Sequence, residues 1–369
     1  MKIFHSPVWN VAGLPFHELT IQQTAELLLS YIEQRERCFL STPNLNFTAS
    51  AQYDEEFFES VIQSDLVVVD GVSLLVTAKL LRTPFPERVA GSDVFAFLSN
   101  TPRENKIKVF FFGGETGVAE RAHQRLNESS QGMRSCGFFE PGMGSVEEMS
   151  SDEIITLINE SEADFLVVAL GAKKGQQWIM RNLERLNIPV VSHLGAVINF
   201  VAGTVERAPL KWQKYGLEWL WRIRQEPKLI KRYFRDAVTY ANLFVTQIQP
   251  LLWFSKRLKS KALSRERPSG LDLKSGHELV LTMSGCMESE IWPQLDEILE
   301  LIVLDADKRP VIIDGSALDW IGGDIVGRML LLSGQLKKQG RDLKLRSFSD
   351  DVQRLLRYGG VLRRFQLTS

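Results

Sequence analysis

The stretch IKVFFFGGETG at 107–117 decides the fold class, because a continuously apolar run ends directly at a glycine turn. Such a run is typical of a strand covered on both faces. Similar short runs occur at 37–42, 65–69, 134–139, 164–170 and 188–192, with helical periodicity between them. This alternation predicts an α/β protein with a Rossmann-like, mostly parallel sheet and helices on both faces.

Composition excludes several protein classes. The 369 residues are 44% apolar and 24% charged, which is ordinary for a globular protein and argues against a disordered or fibrous chain. Cys38, Cys136 and Cys286 are far apart, without the spacing of a zinc site or a disulfide framework. The N-terminus does not have the pattern of a secretory signal, and no apolar run reaches the roughly 20 residues of a membrane span. We therefore expect a protein in a reducing compartment, soluble or lying on a membrane surface.

The net charge of −1 hides a basic segment. Residues 207–267 contain 15 Lys and Arg but only 4 Asp and Glu, together with four of the eight tryptophans. A polar stretch, SRERPSGLDLKSG, follows, and then a second strand–helix pattern. We predict a Rossmann-like domain, a basic tryptophan-rich helical appendage, a linker and a small α/β domain, at residues 1–208, 209–263, 264–276 and 277–369.

Polar residues that follow the predicted strands are the candidates for chemistry, since ligands of parallel sheets bind at the carboxyl ends of the strands. Asp70 ends the run LVVVD and could be a general base, a ribose ligand or a helix cap. Thr42 and Asn44 follow another strand, and Arg88 precedes a helix that we expect Ser92 to cap. The glycines at 113–117 could let backbone N–H groups approach a phosphate, although a Gly-Gly turn is common.

Other motifs carry little chemistry. Asp305 and Asp307 have the spacing of a metal-binding pair, but we interpret them as a solvated helix end. The histidines lack ligand spacing, and we interpret His193 as a core or rim residue. There is no GxSxG nucleophile motif, and the lack of GxGxxG disfavours a nucleotide-dependent oxidoreductase.

Together, the motifs resemble those of the WecG/TagA/CpsF glycosyltransferases. The resemblance covers about residues 10–240 and rests on the order and spacing of TPN at 42–44, VVVDG at 67–71, ERVAGSD at 87–93, FFFGG at 110–114, VVALGAKKGQQW at 167–178, AGTVERAP at 202–209 and GLEWLWR at 216–222.

The resemblance implies an inverting, metal-independent transfer, without a cofactor, of a sugar from a UDP-sugar to a polyprenyl-diphosphate-linked saccharide. It implies an N-acetylhexosamine or its uronic acid as the sugar, and a bacterial surface polysaccharide as the product. Asp70 matches the catalytic base, which must accept the proton of the acceptor hydroxyl. Arginines or backbone N–H groups would stabilise the departing diphosphate. The matched residues are Thr42 and Arg88 for catalysis, and Asn44, Gly113, Gly114, Gly171, Gln176, Arg207, Arg222 and Arg232 for substrate binding.

Two departures from the resembled pattern fall near these residues. Lys173 stands where a proline is expected, and Gly175 stands where an active-site glutamine is expected; Gln176 could substitute one residue later. Asn199 stands where many members have aspartate. The departures leave Asp70 intact but affect the positioning of donor or acceptor.

The basic segment has three interpretations: a helical cover for the sheet, a nucleic-acid surface and a membrane surface. We find no nucleic-acid-binding motif. Tryptophan rings prefer the headgroup zone, and each basic residue near an anionic leaflet contributes about 1 kcal/mol. The resemblance also implies a membrane-binding appendage that brings arginines over the site. We therefore expect peripheral binding to the inner face of the cell membrane, with Lys256, Arg257, Lys259 and Lys261 contributing.

Residues 277–369 resemble a STAS domain, of the anti-sigma-factor antagonist type. The stretch Gly322-Gly323-Asp324-Ile325 lacks the hydroxyl of the usual phosphorylation site. Asp324 could mimic a permanent charge or cap a helix, and we favour the cap. We expect a docking module with a protein partner. The main alternative to an active transferase is a degenerate enzyme that regulates through this domain.

Overall fold

The structure is a computed structural model that describes residues 4, 6–209, 212 and 217–368. It divides the chain into two compact units. The first unit comprises Leu19–Val72 and Pro86–Asp236. The second unit comprises the residues up to Glu18, the segment Ser73–Phe85 and the residues from Ala237 onward.

The first unit contains a six-stranded parallel sheet, which confirms the predicted α/β fold. Its strands are β3 (Cys38–Ser41), β4 (Leu66–Val67), β5 (Ile107–Gly113), β6 (Met133–Phe139), β7 (Phe165–Ala169) and β8 (Val190–His193). Their order across the sheet is β4-β3-β8-β7-β5-β6. Each predicted strand of this sheet is present, although β4 is shorter than the run that predicted it.

The sheet is covered on both faces because its strands are apolar on both faces. Phe111 packs in one core cluster and its neighbour Phe112 in another, and both are fully buried. The helices around the sheet are α1 (Ile21–Gln34), α2 (Leu45–Tyr53), α3 (Glu55–Ile62), α5 (Gly91–Asn100), α6 (Val118–Ser129), α7 (Asp152–Glu160), α8 (Ala172–Asn182), α9 (Gly195–Ala202) and α10 (Glu218–Gln225). Two further helices, α4 (Val72–Leu80) and α11 (Ile230–Leu243), run from one unit into the other.

The expected cap of α5 is wrong. The helix begins at Gly91, its N-cap residue is Ala90, and no side chain caps it. Ser92 lies inside the first turn, where its hydroxyl instead accepts a hydrogen bond from the Arg207 guanidinium at 3.3 Å. The residue expected to end the helix therefore belongs to the arginine cluster described below.

The second unit contains a five-stranded mixed sheet. Its strands are β9 (Gly270–Ser275), β10 (Leu279–Met287), β11 (Val311–Ile321), β12 (Leu343–Arg346) and β13 (Gln366–Thr368), and only β9 is antiparallel to its neighbour. The helices of this unit are α12 (Gln249–Leu263), α13 (Trp292–Val303), α14 (Gly323–Lys338) and α15 (Asp350–Tyr358). The second half of the predicted linker, 264–276, is not a linker, because β9 lies there and pairs with β10.

A hairpin near the start of the chain also belongs to the second unit. Strands β1 (Val8–Val11) and β2 (Leu14–His17) pack against α14. The contact is close, since a Cβ on Gly327 would lie 2.6 Å from the Val8 carbonyl oxygen. The Asn10 amide also donates to the Gly359 carbonyl at 3.0 Å. The structure thus groups the hairpin with the C-terminal residues rather than with the predicted 1–208 domain.

Two predictions about acidic residues of the second unit are wrong. Asp324 does not cap α14: Gly322 is the N-cap residue, and the Asp324 carboxylate is buried and accepts a hydrogen bond from the Trp292 indole at 2.6 Å. Asp305 is not solvated, because Arg309 and Arg341 bury its side chain. Asp307, in contrast, is exposed.

Candidate active site

Asp70 lies just beyond β4, at the carboxyl edge of the first sheet. Its backbone N–H donates to the Pro43 carbonyl at 3.0 Å, which fixes it beside the end of β3. Gly71 follows with a φ of +131°, a conformation that side chains rarely adopt. The Asp70 carboxylate is half-buried and makes no hydrogen bond within the described part of the chain. It is therefore held in place through its backbone, while no described residue bonds its carboxylate oxygens.

The surroundings of Asp70 give its carboxyl group an unusual acidity. Burial raises the pKa of Asp70 to about 7. The positive charge of Arg88 opposes this rise, whereas the negative charges of Glu218 and Asp93 add to it. A carboxylate with a pKa near the working pH is suited to accept a proton and to release it again.

Arg88 lies close to Asp70 and is bound by two carboxylates. Its guanidinium donates to the two Glu218 carboxylate oxygens at 2.5 and 3.2 Å, and to Asp93 at 3.0 Å. Burial would lower the pKa of Arg88, but the hydrogen bond to Glu218 and the nearby carboxylates outweigh it, so the group stays charged. This fork of N–H donors matches the oxygens of a carboxylate or a phosphate.

Two further arginines join this cluster. The Arg207 guanidinium donates to Asp93 and Ser92. Arg207 and Arg222 both lie over the Phe200 ring, 5.7 and 5.9 Å from its centroid. The structure thus brings Arg88, Arg207 and Arg222 to the surroundings of Asp70, as the sequence predicts. The described contacts of Arg232 are with the Tyr233 ring, 5.1 Å away, and with the charge of Asp236.

Thr42 and Asn44 follow β3, as predicted, and each is constrained by neighbouring residues. Thr42 is buried beside Gly91, where a Cβ would lie 3.3 Å from the Thr42 hydroxyl oxygen. The Asn44 side-chain oxygen caps α2 by accepting from the backbone N–H groups of Asn46 and Phe47 at 3.0 and 3.3 Å. Substrate binding by Asn44 stays a prediction, with its oxygen already used by the helix.

Backbone N–H groups at the glycine turn after β5 already donate hydrogen bonds to other residues of the chain. Glu140 accepts hydrogen bonds from the backbone N–H groups of Gly117 and Ala119, both at 2.9 Å, at the start of α6. The Gly114 N–H donates to the Ala169 carbonyl at 2.9 Å. These donors are therefore occupied, and a role for Gly113 and Gly114 beside a nucleotide stays a prediction that would depend on shape rather than on these N–H groups.

The departure at Gly175, in α8, has a structural explanation. A Cβ on Gly175 would collide with the imidazole of His193, so position 175 has no room for a side chain. Gln176 is fully buried, and its amide nitrogen donates to the Ser41 hydroxyl at 3.0 Å. Gly171 has a φ of +82° and begins α8, where its carbonyl accepts from the Gly175 N–H at 2.7 Å.

Sequence reasoning missed two residues of this site. Glu218 and Asp93 hold the arginines, although both lie inside motifs that the resemblance singled out, GLEWLWR and ERVAGSD. His193 is buried at the end of β8, as its interpretation as a core or rim residue predicts. Among the described residues, no group of three His, Cys, Asp or Glu side chains is placed to hold a metal ion.

Comparison with known proteins agrees with this geometry. The model of the glycosyl transferase WecG/TagA/CpsF family matches residues 9–251. The chain belongs to this family and is a glycosyltransferase, which confirms the predicted resemblance.

Two relatives have names that describe a reaction. A Bacillus spizizenii protein is 26% identical over 208 residues, covering 56% of this chain and 79% of its own length. A Staphylococcus aureus (strain MW2) protein is 23% identical over 225 residues, covering 60% of this chain and 87% of its own length. Each is named N-acetylglucosaminyldiphosphoundecaprenol N-acetyl-beta-D-mannosaminyltransferase.

Proposed function

We propose that this glycosyltransferase moves an N-acetylhexosamine, or its uronic acid, from a UDP-sugar to a polyprenyl-diphosphate-linked saccharide during synthesis of a cell-surface polysaccharide. The observation that carries the proposal is a carboxylate with a pKa near 7 and no hydrogen bond within the described residues, set beside a cluster of arginines. The names of the two relatives support the lipid-linked acceptor and the N-acetylhexosamine.

The proposed reaction uses Asp70 as the general base. The acceptor hydroxyl oxygen attacks the anomeric carbon of the sugar as its proton passes to the Asp70 carboxylate. The bond between that carbon and the phosphate oxygen breaks, and its electron pair leaves with UDP. Attack from the face opposite to the leaving group inverts the configuration of the anomeric carbon.

The arginines supply the proposed stabilisation of the leaving group. Negative charge grows on the diphosphate as the bond breaks, and preorganised donors stabilise such charge strongly. Carboxylates or the Phe200 ring hold Arg88, Arg207 and Arg222 in place. This supports the proposal that the three guanidinium groups bind the diphosphate together. The diphosphate would replace carboxylate oxygens on Arg88, because both offer the same acceptors.

The experiment is UDP release from a panel of UDP-sugars with a polyprenyl-diphosphate-linked acceptor. Turnover should appear for a UDP-N-acetylhexosamine or its uronic acid, and Asp70→Asn should lower kcat at least ~100-fold because it removes the base. Asp272→Asn, at an exposed position of the second unit, is the matched control and should keep full turnover.

Unchanged turnover of Asp70→Asn would remove Asp70 from the mechanism. Lack of turnover and of UDP binding in the unsubstituted chain would instead favour a degenerate enzyme that regulates through its C-terminal domain. The likeness of that domain to the STAS type, and its protein partner, remain part of the proposal.

We also propose that the appendage binds an anionic membrane surface through α11. Three apolar residues spaced four apart, Ile230, Phe234 and Val238, are between 55% and 72% exposed, and Lys231 and Arg235 beside them are exposed too. Apolar side chains flanked by basic ones favour the interface of an anionic bilayer. Among the described residues, no helix is long and apolar enough to cross a membrane.

The basic residues of α12 are weaker candidates than the sequence analysis expected. Lys259 pairs with Glu288 at 2.7 Å, and Lys261 pairs with Asp351 at 2.9 Å. Their charges are thus used within the second unit. Lys256 and Arg257 remain exposed, and the Arg257 guanidinium lies 5.4 Å from the centroid of the Trp253 ring.

Vesicle sedimentation tests the membrane proposal. Phe234→Ser should weaken binding to phosphatidylglycerol vesicles about tenfold, the effect of withholding one large apolar side chain from the interface. Leu304→Ser, at a similarly exposed apolar position of the second unit, is the control and should bind as before. Equal binding of the Phe234 variant and the unsubstituted chain would contradict the role of α11.

A further inference from the structure

His193 is a buried histidine that the proposed chemistry does not yet use. It is the last residue of β8, which lies between β3 and β7 in the sheet. Its side chain is therefore at the carboxyl edge, the edge that also presents Thr42 and Asp70. Only 9% of His193 is exposed, and its Nε2 atom has no hydrogen-bond partner among the described residues.

Two glycines make room for this imidazole. A Cβ on Gly175 would collide with the ring and would lie 3.1 Å from Nε2, and a Cβ on Gly195 would lie 3.3 Å from Nε2. Gly175 is in α8, where glycine is a poor helix former and costs stability relative to alanine. The chain thus keeps an unfavourable helix residue at a place where the histidine ring needs the space.

A second buried polar atom that no described residue bonds belongs to the next residue of α8. Gln176 is fully buried, its nitrogen donates to Ser41, and its side-chain oxygen has no partner among the described residues. Native proteins pair nearly all their buried polar atoms, so these two atoms mark the ends of β8 and α8 as a place that lacks a polar partner among the described residues. The Gln176 oxygen is sealed inside, and of the two it is His193, with 9% exposed, that a ligand can reach.

We infer that His193 is a substrate-binding residue, whose Nε2 forms a hydrogen bond with a hydroxyl or amide group on the sugar of the donor. The inference rests on the proposed function and names a specificity residue for it. Burial lowers the pKa of His193 to about 4, so the imidazole is neutral at working pH. A neutral ring cannot offset phosphate charge, which the arginines offset, but it can pair with an uncharged polar group.

The test compares the affinities for a UDP-sugar and for UDP. Calorimetry would measure Kd for UDP and for the tightest-binding donor among UDP-N-acetylmannosamine, UDP-N-acetylglucosamine and UDP-glucose. His193→Phe fills much of the ring volume without a polar atom, and His193→Ala empties it. Both variants should bind the UDP-sugar about tenfold more weakly, the effect of one lost buried hydrogen bond, and should bind UDP within about twofold of the unsubstituted chain.

The control variant is His123→Ala, since His123 lies on α6 and already bonds the Ser135 hydroxyl at 2.8 Å. It should leave both affinities unchanged. Equal weakening of UDP and UDP-sugar by the His193 variants, or no weakening of either, would overturn the role of His193 while leaving the proposed function standing. If the unsubstituted chain bound neither ligand, the proposed function would fail, and the role of His193 would fail with it.

A double-variant cycle separates ligand binding from packing. Gly175→Ala should lower the Tm while His193 is present, because the new methyl group meets the ring. In the His193→Ala background the same change should leave the Tm equal or higher, because alanine favours the helix. The UDP-sugar affinity should stay weak in the double variant, since the missing polar atom is not restored. Recovery of that affinity with the packing would show that His193 acts only by filling space.

Discussion

Asp70 in the first unit and Asp324 in the second are similar in position but differ in what holds them. Each follows a strand and lies near the start of a helix, and burial raises the pKa of both. The Asp324 carboxylate is bonded by the Trp292 indole, whereas Asp70 has no hydrogen bond within the described residues. A strand end can therefore hold a structural carboxylate or a reactive one, and the partners of its oxygens decide which.

The arginines beside these carboxylates differ in the same way. Arg328 is almost fully buried, pairs with Asp296 at 2.6 Å and lies 4.4 Å from the centroid of the Trp292 ring. Arg88 is held by Glu218 and Asp93, whose side chains are partly exposed. Arg328 is too buried for an anion to replace its carboxylate partner. The guanidinium of Arg88, in contrast, is accessible to an anion that could replace Glu218 or Asp93.

Substitution of the two arginines gives the largest expected contrast. Arg88→Gln should lower kcat by ~100- to 1,000-fold, because it removes a donor for the leaving group. It should lower the Tm less than Arg328→Gln does, because the carboxylate partners of Arg88 are partly exposed. Arg328→Gln should lower the free energy of unfolding by roughly 1.5–3 kcal/mol, since it breaks charged hydrogen bonds, and should leave kcat nearly unchanged. Rate assays and thermal melts check both, and a turnover loss at Arg328 equal to that at Arg88 would break the comparison.

The pH dependence of the rate should report Asp70 and not Asp324. A general base must be deprotonated, and the pKa of Asp70 is about 7. We therefore expect kcat/KM to fall about tenfold per pH unit below that value and to level off above it. Asp324→Asn should keep this profile. A rate that is flat between pH 5 and 8 would contradict the titration of Asp70.

Stability should depend on pH through the same group, with a sign opposite to that of most aspartates. The folded state raises the pKa of Asp70 from 3.8 to about 7, so folding favours the protonated form. The chain therefore loses stability as pH rises through this window, where the unfolded carboxyl ionises and the folded one resists ionisation. Asp70→Asn removes the loss, and its Tm advantage over the unsubstituted chain should grow from pH 4 to pH 7 in thermal melts.

Substitution of Glu218 should have the smallest effect, and it tests whether UDP can replace a carboxylate on Arg88. Glu218→Gln removes a competing carboxylate from Arg88, and UDP should bind about 2- to 5-fold more tightly. The acid limb of the rate profile should also move to lower pH, because the charge of Glu218 helps to raise the pKa of Asp70. Glu128→Gln, exposed on α6, should change neither quantity. Weaker UDP binding would mean that Glu218 is needed to hold Arg88 in place.

The sequence predicted the first sheet well because buried parallel strands have a local signature. A run such as VFFF indicates a strand that is buried on both faces, whichever helices cover it, so it can be recognised without knowing which distant residues pack against it. The predicted site centred on Asp70 and Arg88 rested on motifs in a fixed order. Their partner Glu218 could not be found from local pattern, because it is 130 residues from Arg88 along the chain.

The failed predictions for Asp305 and Asp324 share a long-range cause. Asp305 is close in sequence to Arg309, but Arg341 helps to bury it from another part of the second unit. Asp324 is buried by Trp292, 32 residues earlier. The linker prediction failed for a local reason: no residue of the edge strand β9 is buried and half of its residues are polar, so its sequence is hard to distinguish from a linker.

The hairpin that packs on α14 has a consequence for biosynthesis. Val8 and Trp9 leave the ribosome roughly 300 residues before their packing surface around Gly327, an interval on the order of tens of seconds at ordinary elongation rates. During that interval the apolar side of the hairpin has no partner in the second unit, while the first unit can already assemble its sheet. Nascent chains stopped before residue 323 should therefore expose the hairpin to chaperones, and emergence of α14 from the ribosome should end that exposure.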